Sequence, residues 1–166
     1  MSELTTPRDL FLHELGDILY VEKALVDEVL PTLIGQVQDT KFRKGLEKHL
    51  EETRGHITNV EQVFDELGES PKTEECIGFE GLKKEQEKLV EEASEGLIDL
   101  VNTGAAARTE HYEIAAYSGL IEMARALGEQ NAVALLDENL KSERETLREV
   151  ESIEKNLRDE LKATTS

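Results

Sequence analysis

Several residue types are scarce in this 166-residue chain, and each shortage excludes a class of protein. The single cysteine, Cys76, can form neither an internal disulfide nor a cysteine metal cluster, which agrees with a reducing compartment. No apolar run approaches the roughly 20 residues that cross a bilayer. The first residues also lack the basic and apolar segments of a secretory signal. We therefore expect a cytoplasmic protein with no membrane partner.

Basic residues are few as well, with 19 against 37 acidic ones and a net charge of −18. An acidic surface repels phosphates at long range, so we expect no nucleic acid partner. A high-salt cytoplasm or an attraction for cations would each explain the acidity, beside the commoner explanation of a solvated charged surface. Neither a glycine-rich phosphate loop nor a nucleophile motif is present, which disfavours other common enzyme classes.

Glycine and proline are sparse, at 11 and 3 residues, and no segment alternates apolar and polar residues over the length of a strand. Leucine, alanine, glutamate and lysine dominate instead, and all four favour helices. The length suits one domain of ordinary size. The sequence predicts a single all-α domain over residues 1–166.

Four long helices are predicted from apolar stripes and from capping residues at their ends. They span about residues 7–35, 39–67, 105–127 and 129–161. Pro7 is expected to start the first helix, and Pro31 is a candidate for a bend. Residues 162–166 are expected to form a disordered tail.

The long connection between the second and third helices, residues 68–104, is predicted to cross the bundle. It contains a weaker, charge-rich helix over about 79–101 with a candidate break near Gly96. Two antiparallel helical hairpins joined by one long crossover are typical of ferritin-like four-helix bundles. We predict that architecture, with an extra helical segment in the crossover.

Three of the long helices place a glutamate in the middle of the face that should be buried. At about 100° per residue, apolar side chains lie within about 60° of Glu22, Glu113 and Glu143. Hairpin spacing adds Glu52, because Glu22 and Glu52 lie equally far from the first hairpin's centre, as Glu113 and Glu143 do from the second. Four carboxylates are thus expected in one layer. The rotation of Glu52, about 115° from the centre of its apolar stripe, argues against it.

A charged carboxylate in an apolar interior must be neutralised, paired or bound to a cation. Oxygen-rich coordination suits iron(II) or manganese, with magnesium also possible. His49 and His56 flank Glu52 on the same side of the helix, and either could supply nitrogen. Glu110, one turn before Glu113, is either a further ligand or an acid at the edge of the stripe. The alternative is a bundle with a few protonated acids and no metal.

Four segments in order resemble the YciE/YciF-type stress-associated family of the ferritin-like superfamily. They read "DILYVEKAL", "HLEETRGH", "EHYEIAAYSGL" and "LLDENLKSERETL". The resemblance extends from about Arg8 to Leu157 and implies a four-helix core, a crossover helix, a dinuclear metal site and a homodimer.

The resemblance also implies roles for the acids. By position, Glu22 and Glu113 look like terminal ligands, while Glu52 and Glu143 look like bridging ones. Glu110, three residues before Glu113, resembles the extra acid of rubrerythrin-type sites. The chain departs from ferritin-like motifs in one respect: the positions three residues after the bridging glutamates carry no histidine, being Gly55 and Thr146.

Two functions from different classes are compatible with these features. The first is a dinuclear metal protein, with iron favoured and manganese possible, that carries out oxygen, peroxide or ferroxidase chemistry in a stress response. Tyr117, about 40° from Glu113, is then a candidate for handling protons, although an amphipathic core residue would look the same. The second is a non-catalytic helical stress protein that acts by dimerisation or partner association, with a structural or vestigial metal site.

Overall fold

The computed structural model describes residues 4–164 and contains no strand within that range. Its helices, in chain order, are α1 (Pro7–Ala24), α2 (Leu30–Gln36), α3 (Thr40–Glu66), α4 (Ile77–Glu92), α5 (Ile98–Leu127) and α6 (Gln130–Thr164). A π-helical turn, Leu25–Val29, joins α1 to α2, and a short 3-10 turn, Glu95–Leu97, precedes α5. The predicted all-α class is confirmed. None of these helices is long and apolar enough to span a bilayer.

The four long helical rods form the predicted pair of hairpins. The continuous rod from α1 to α2 turns at residues 37–39 into α3, and α5 turns at Gly128 into α6. Short connections of this kind place successive helices antiparallel. Helices α1 and α6 each pack against both α3 and α5. Helix α4 packs against α5. The ferritin-like bundle with a crossover helix is therefore the observed architecture.

The start of α1 is fixed by a reciprocal cap. The Thr6 hydroxyl accepts a hydrogen bond from the Asp9 amide at 3.1 Å, and the Asp9 carboxylate accepts one from the Thr6 amide at 2.8 Å. Pro7 occupies the first helical position, where no amide donor is needed. The predicted helix start at Pro7 is confirmed.

Pro31 perturbs the first rod through the turn that precedes it. Proline lacks an amide hydrogen, and its ring collides with the carbonyl four residues earlier, here that of Asp27. The chain widens into the π-helical turn, in which the Leu30 amide donates to the Leu25 carbonyl. The rod continues beyond this wider turn as α2.

Two predicted boundaries differ from the structure. The break near Gly96 is present, but α5 begins at Ile98, seven residues earlier than predicted, and Gly104 lies inside it. Packing of α5 against its neighbouring helices offsets the low helix propensity of glycine, and Gly104 itself faces Glu154 of α6. At the other end, α6 continues to Thr164, so residues 162–164 of the predicted disordered tail are helical, and residues 165–166 lie outside the described residues.

Asp99 ties the start of α5 to the first hairpin. Its carboxylate accepts hydrogen bonds from the backbone amides of Gln38 at 2.9 Å and Asp39 at 2.8 Å. We expect Asp99→Ala to lower the free energy of unfolding by about 2 kcal/mol, because two backbone donors lose a charged acceptor. Urea unfolding measures this change. Asp137→Ala, which removes a surface ion pair with Lys141, is the control and should change stability by less than about 1 kcal/mol.

Candidate metal centre

Six side chains that can bind metal converge in the middle of the bundle. They are Glu22 of α1, His49 and His56 of α3, Glu110 and Glu113 of α5, and Glu143 of α6. None of the six is more than 4% exposed. The layer of acids expected from the apolar stripes thus forms, with both histidines inside it.

The buried face of helix α3 explains why both histidines reach this layer. His49, Thr53 and His56 follow one another at spacings of four and three residues, which keeps them on one helix face. Thr53 is fully buried, and its hydroxyl donates to the His49 carbonyl at 2.8 Å. Glu52 lies about 100° around the helix from Thr53, at the edge of that face, and its side chain is 30% exposed.

The first group of possible ligands, called cluster A here, consists of His49, Glu110, Glu113 and Glu143. One nitrogen or oxygen atom from each of the four lies within 4.8 Å of the others. His49 Nε2 lies 3.3 Å from Glu110 Oε1 and 4.0 Å from Glu143 Oε2. Three carboxylates and one imidazole could together hold a divalent ion.

The second group, cluster B, consists of Glu22, His56 and Glu143 and meets the same 4.8 Å limit. His56 Nδ1 lies 2.8 Å from Glu143 Oε1 and 3.5 Å from Glu22 Oε1. Glu143 belongs to both clusters, and its two oxygens face different histidines. One carboxylate could therefore contact two neighbouring ions, which is the bridging role that the family resemblance gives to Glu143.

The two clusters contain eight buried nitrogen or oxygen atoms that have no hydrogen-bond partner. They are Glu22 Oε2, His49 Nε2, His56 Nδ1, Glu110 Oε2, and both carboxylate oxygens of Glu113 and of Glu143. Although His56 Nδ1 and Glu143 Oε1 are close, they do not meet the geometry of a hydrogen bond. Buried polar atoms are normally paired, and each unpaired one is destabilising. Metal ions held by the two clusters would give these side chains the partners that they lack.

Burial controls the protonation of these groups. It raises the pKa of Glu110 and of Glu113 well above the usual range, and the nearby Glu143 charge adds to the effect in both. Burial alone would lower the pKa of His56, but the carboxylates of Glu143 and Glu22 outweigh it and raise that pKa to about 10. Burial would raise the pKa of Glu143 too, but the facing imidazoles hold it below the usual value. Without metal, the centre therefore retains protons at neutral pH.

A chain of hydrogen bonds fixes one carboxylate oxygen of Glu22. The Tyr117 hydroxyl donates to Glu22 Oε1 and accepts from the Asn139 amide at 3.1 Å. The same amide also donates to the His56 carbonyl at 3.2 Å, and Asn59 donates to Asn139 Oδ1 at 2.7 Å. Such outer contacts orient ligands and leave Glu22 Oε2 available. Tyr117 contacts Glu22, although the helical wheel alone places it near Glu113.

Glu52 is the one predicted ligand that the structure does not bring into either cluster. Its side chain is 30% exposed, with carboxylate oxygens 3.4 Å from Lys48 Nζ and 3.8 Å from His49 Nδ1. Thr146 occupies the position after Glu143 where ferritin-like motifs carry a histidine. Its hydroxyl lies 3.2 Å from His49 Nδ1, so an imidazole from α3 reaches the space beside that position.

Most of the chain is similar to known proteins. The model of a family described as "Domain of unknown function (DUF892)" matches residues 6–162. Protein YciF of Escherichia coli K12 is 34% identical over 145 residues, which covers 86% of this chain and 87% of YciF.

Two solved structures share the fold over nearly their full length. YcfI of Rhodopseudomonas palustris is 36% identical, with a TM-score of 0.87 that covers 90% of this chain and 95% of YcfI. The structure described as the E. coli stress protein YciF is 32% identical, with a TM-score of 0.88 over 94% of this chain and 99% of YciF.

Proposed function

Since the chain belongs to the DUF892 family and is similar to the E. coli stress protein YciF, we propose that it is a stress-response protein that binds two divalent metal ions inside its helical bundle. The observation that carries this proposal is the set of eight buried, unpartnered ligand atoms in two clusters that share Glu143. The donor set of four carboxylates and two imidazoles suits iron(II) or manganese(II).

In this proposal one ion is held by cluster A and the other by cluster B. Iron or manganese bound there would supply redox chemistry with dioxygen or peroxide. The protein's own contribution is to fix the ligands and to keep bulk water away, since all six side chains are buried. Tyr117 and Asn139 hold Glu22 in one orientation, and Thr146 does the same for the ring of His49.

Anaerobic calorimetric titration of metal-free protein tests this function. We expect two equivalents of iron(II) or of manganese(II) per chain, followed by oxidation of the bound iron faster than in buffer when dioxygen is added. Glu149→Gln removes an exposed carboxylate that pairs with Lys48 and serves as the control, which should still bind two equivalents. Absence of stoichiometric binding in the unaltered protein would refute the proposal.

The same measurements separate the catalytic from the structural version of the site. If two ions bind and raise the melting temperature but iron is oxidised no faster than in buffer, the centre is structural. The homodimer implied by the family resemblance belongs to this proposal as well. Sedimentation equilibrium with and without metal would show whether two chains associate and whether the ions affect that association.

A further inference from the structure

The six side chains of the candidate metal centre are buried, so an ion needs a path to reach them. A cavity of about 50 Å³ lies beside cluster A, and we call it the side cavity. Its lining includes the buried His49 and Glu110 of cluster A, and also Glu149, whose side chain is 48% exposed. The side cavity therefore lies between the candidate metal centre and the protein surface.

Helix α6 places oxygen atoms along this path, and they become steadily more exposed. Glu143, Thr146 and Glu149 follow one another at intervals of three residues, and each is turned about 60° around the helix from the one before. Glu143 is 0% exposed, Thr146 is 7% exposed, and the side chain of Glu149 is 48% exposed. An ion that moves inward would meet an oxygen atom at each step, and oxygen ligands suit manganese(II).

A lysine lies at the outer end of the path, between two carboxylates. Lys48 Nζ is 2.8 Å from Glu149 Oε1 and 3.4 Å from Glu52 Oε1. We call Glu52 of α3 and Glu149 of α6 the outer pair. The side chain of Lys48 is 49% exposed, and exposed ion pairs of this kind contribute little to stability. A divalent ion carries twice the charge of Lys48 and could replace it between the same two carboxylates.

Short distances connect the outer pair to cluster A. Glu52 Oε2 is 3.8 Å from His49 Nδ1, and the Thr146 hydroxyl is 3.2 Å from the same nitrogen. The other nitrogen of that ring, Nε2, is 3.3 Å from Glu110 Oε1. Glu110 lines the side cavity, is 3% exposed, and has no hydrogen-bond partner for its second oxygen. This buried, unpartnered acceptor at the inner end of the path indicates that a cation is the species that passes.

The size of the side cavity suits an ion that has lost part of its water shell. A cavity needs about 10–15 Å³ to hold one water molecule, so this one has room for about three. An ion with about six water ligands would not fit. Thr109 and Gln86 line the cavity and could bind the remaining water. Lys83 lines it too, but its charge is compensated by Glu28 at 3.1 Å and Glu80 at 3.4 Å.

We propose that the outer pair is a docking site for divalent metal ions, which displace Lys48 there and pass through the side cavity to cluster A. The inference rests on the proposed function and adds the route by which the centre is loaded. It also gives a role to Glu52, which lies outside both clusters. A residue of the route alters the barrier for entry and exit alike, so it changes both rates and leaves the amount bound at equilibrium unchanged.

Rates of loading and release test the route, with manganese(II) as the probe under anaerobic conditions. Stopped-flow electron paramagnetic resonance follows both, because the sharp signal of free manganese(II) broadens on binding. We expect Glu149→Gln to slow loading about tenfold and to slow release into excess chelator by the same factor, with two equivalents still bound. Lys48→Met should speed both steps, because the outer pair is then free to accept an ion.

Matched controls lie one helical turn away on the same two helices. Glu145 precedes Glu149 by four residues, Lys44 precedes Lys48 by four, and all four side chains line one surface groove. Glu145 and Lys44 both lie outside the side cavity. Glu145→Gln and Lys44→Met remove the same charges as the two test variants and should leave both rates unchanged.

The outcomes separate the route from the function on which it rests. Equal changes in a test variant and its control would show that overall charge governs loading, which would overturn the proposal. Faster release from Glu149→Gln with unchanged loading would also overturn it, because Glu149 would then hold a bound ion in place. With two equivalents still bound, either result refutes the route alone. If the unaltered protein binds no manganese(II), the proposed function fails and the route fails with it.

Discussion

Replacing Glu143 with glutamine is expected to abolish binding of both metal ions, whereas Glu22→Gln should abolish binding of only one. Glu143 contributes to both clusters, while Glu22 contributes to cluster B alone. An amide is neutral and cannot supply two anionic oxygens. We therefore expect the affinity for each ion to fall by at least about 100-fold in Glu143→Gln. Calorimetric titration with manganese(II) under anaerobic conditions gives the stoichiometry and affinity of each variant.

Glu145→Gln is the matched control, because Glu145 is an exposed acid two residues further along the same helix. It should bind two ions with unchanged affinity. Circular dichroism must show that each variant retains its helices before the titrations are compared. If Glu143→Gln still binds two ions per chain, or binds one ion per chain as Glu22→Gln does, Glu143 does not contribute to both ion sites.

The second large effect concerns pH. The metal-free protein is expected to become less stable as pH rises from about 5 to about 9. Folding raises the pKa of Glu110 and Glu113 above the reference value of 4.5, so the folded state binds more protons than the unfolded state above that pH. His56 acts in the same direction, since its pKa rises from 6.5 to about 10 and its favourable contribution is lost through that range. The lowered pKa of Glu143 matters only below 4.5.

Bound metal should reverse this slope. Metal ions compete with protons for the same carboxylates and imidazoles, so affinity, and with it stability, rises with pH. Melting temperatures measured with excess manganese(II) should therefore increase over the range in which those of the metal-free protein fall. Each unit of pKa shift corresponds to about 1.4 kcal/mol, so the divergence should be large.

Glu113→Gln isolates the contribution of the buried acids to that slope. The amide needs no proton to stay neutral, so the metal-free variant should be more stable than the parent at pH 8 and should show a shallower decline. Glu145→Gln again provides the exposed control. A metal-free stability that is flat or rises between about pH 5 and pH 9 would contradict the account of proton-bearing acids in the core.

The apolar stripes predicted the four rods and three of the buried acids because both depend on local helix geometry. Glu22, Glu113 and Glu143 lie where the helical wheel places them, fully buried. The early start of α5 could not be predicted in this way. Gly104 is a poor helix former, and within α5 it faces Glu154 of α6, a neighbour distant in sequence.

The choice between Glu52 and the two histidines shows where sequence reasoning reaches its limit. Counting residues from the hairpin favoured Glu52, but that count sets only the height of a residue along the bundle and not the direction in which its side chain points. Glu52 lies at a height between His49 and His56, yet its side chain is 30% exposed. The helical wheel of α3 was the better guide, since Thr53 lies inward between His49 and His56.

The contacts that orient the ligands were largely missed. Asn139 is 1% exposed and lies four residues before Glu143, on the same face of α6, a spacing that could have identified it. Its partners, Tyr117 and Asn59, lie on other helices, so their contacts with it depend on the way the rods pack. The sharing of Glu143 between two clusters likewise depends on the way four helices, α1, α3, α5 and α6, pack together.

Anomalous diffraction from crystals grown with manganese(II) tests most directly whether the buried acids hold two ions. We expect two manganese peaks inside the bundle, one within contact distance of His49, Glu110, Glu113 and Glu143, the other near Glu22, His56 and Glu143. A crystal structure in which manganese occupies only surface acids, with the eight interior atoms still unpartnered or paired with each other, would contradict this expectation.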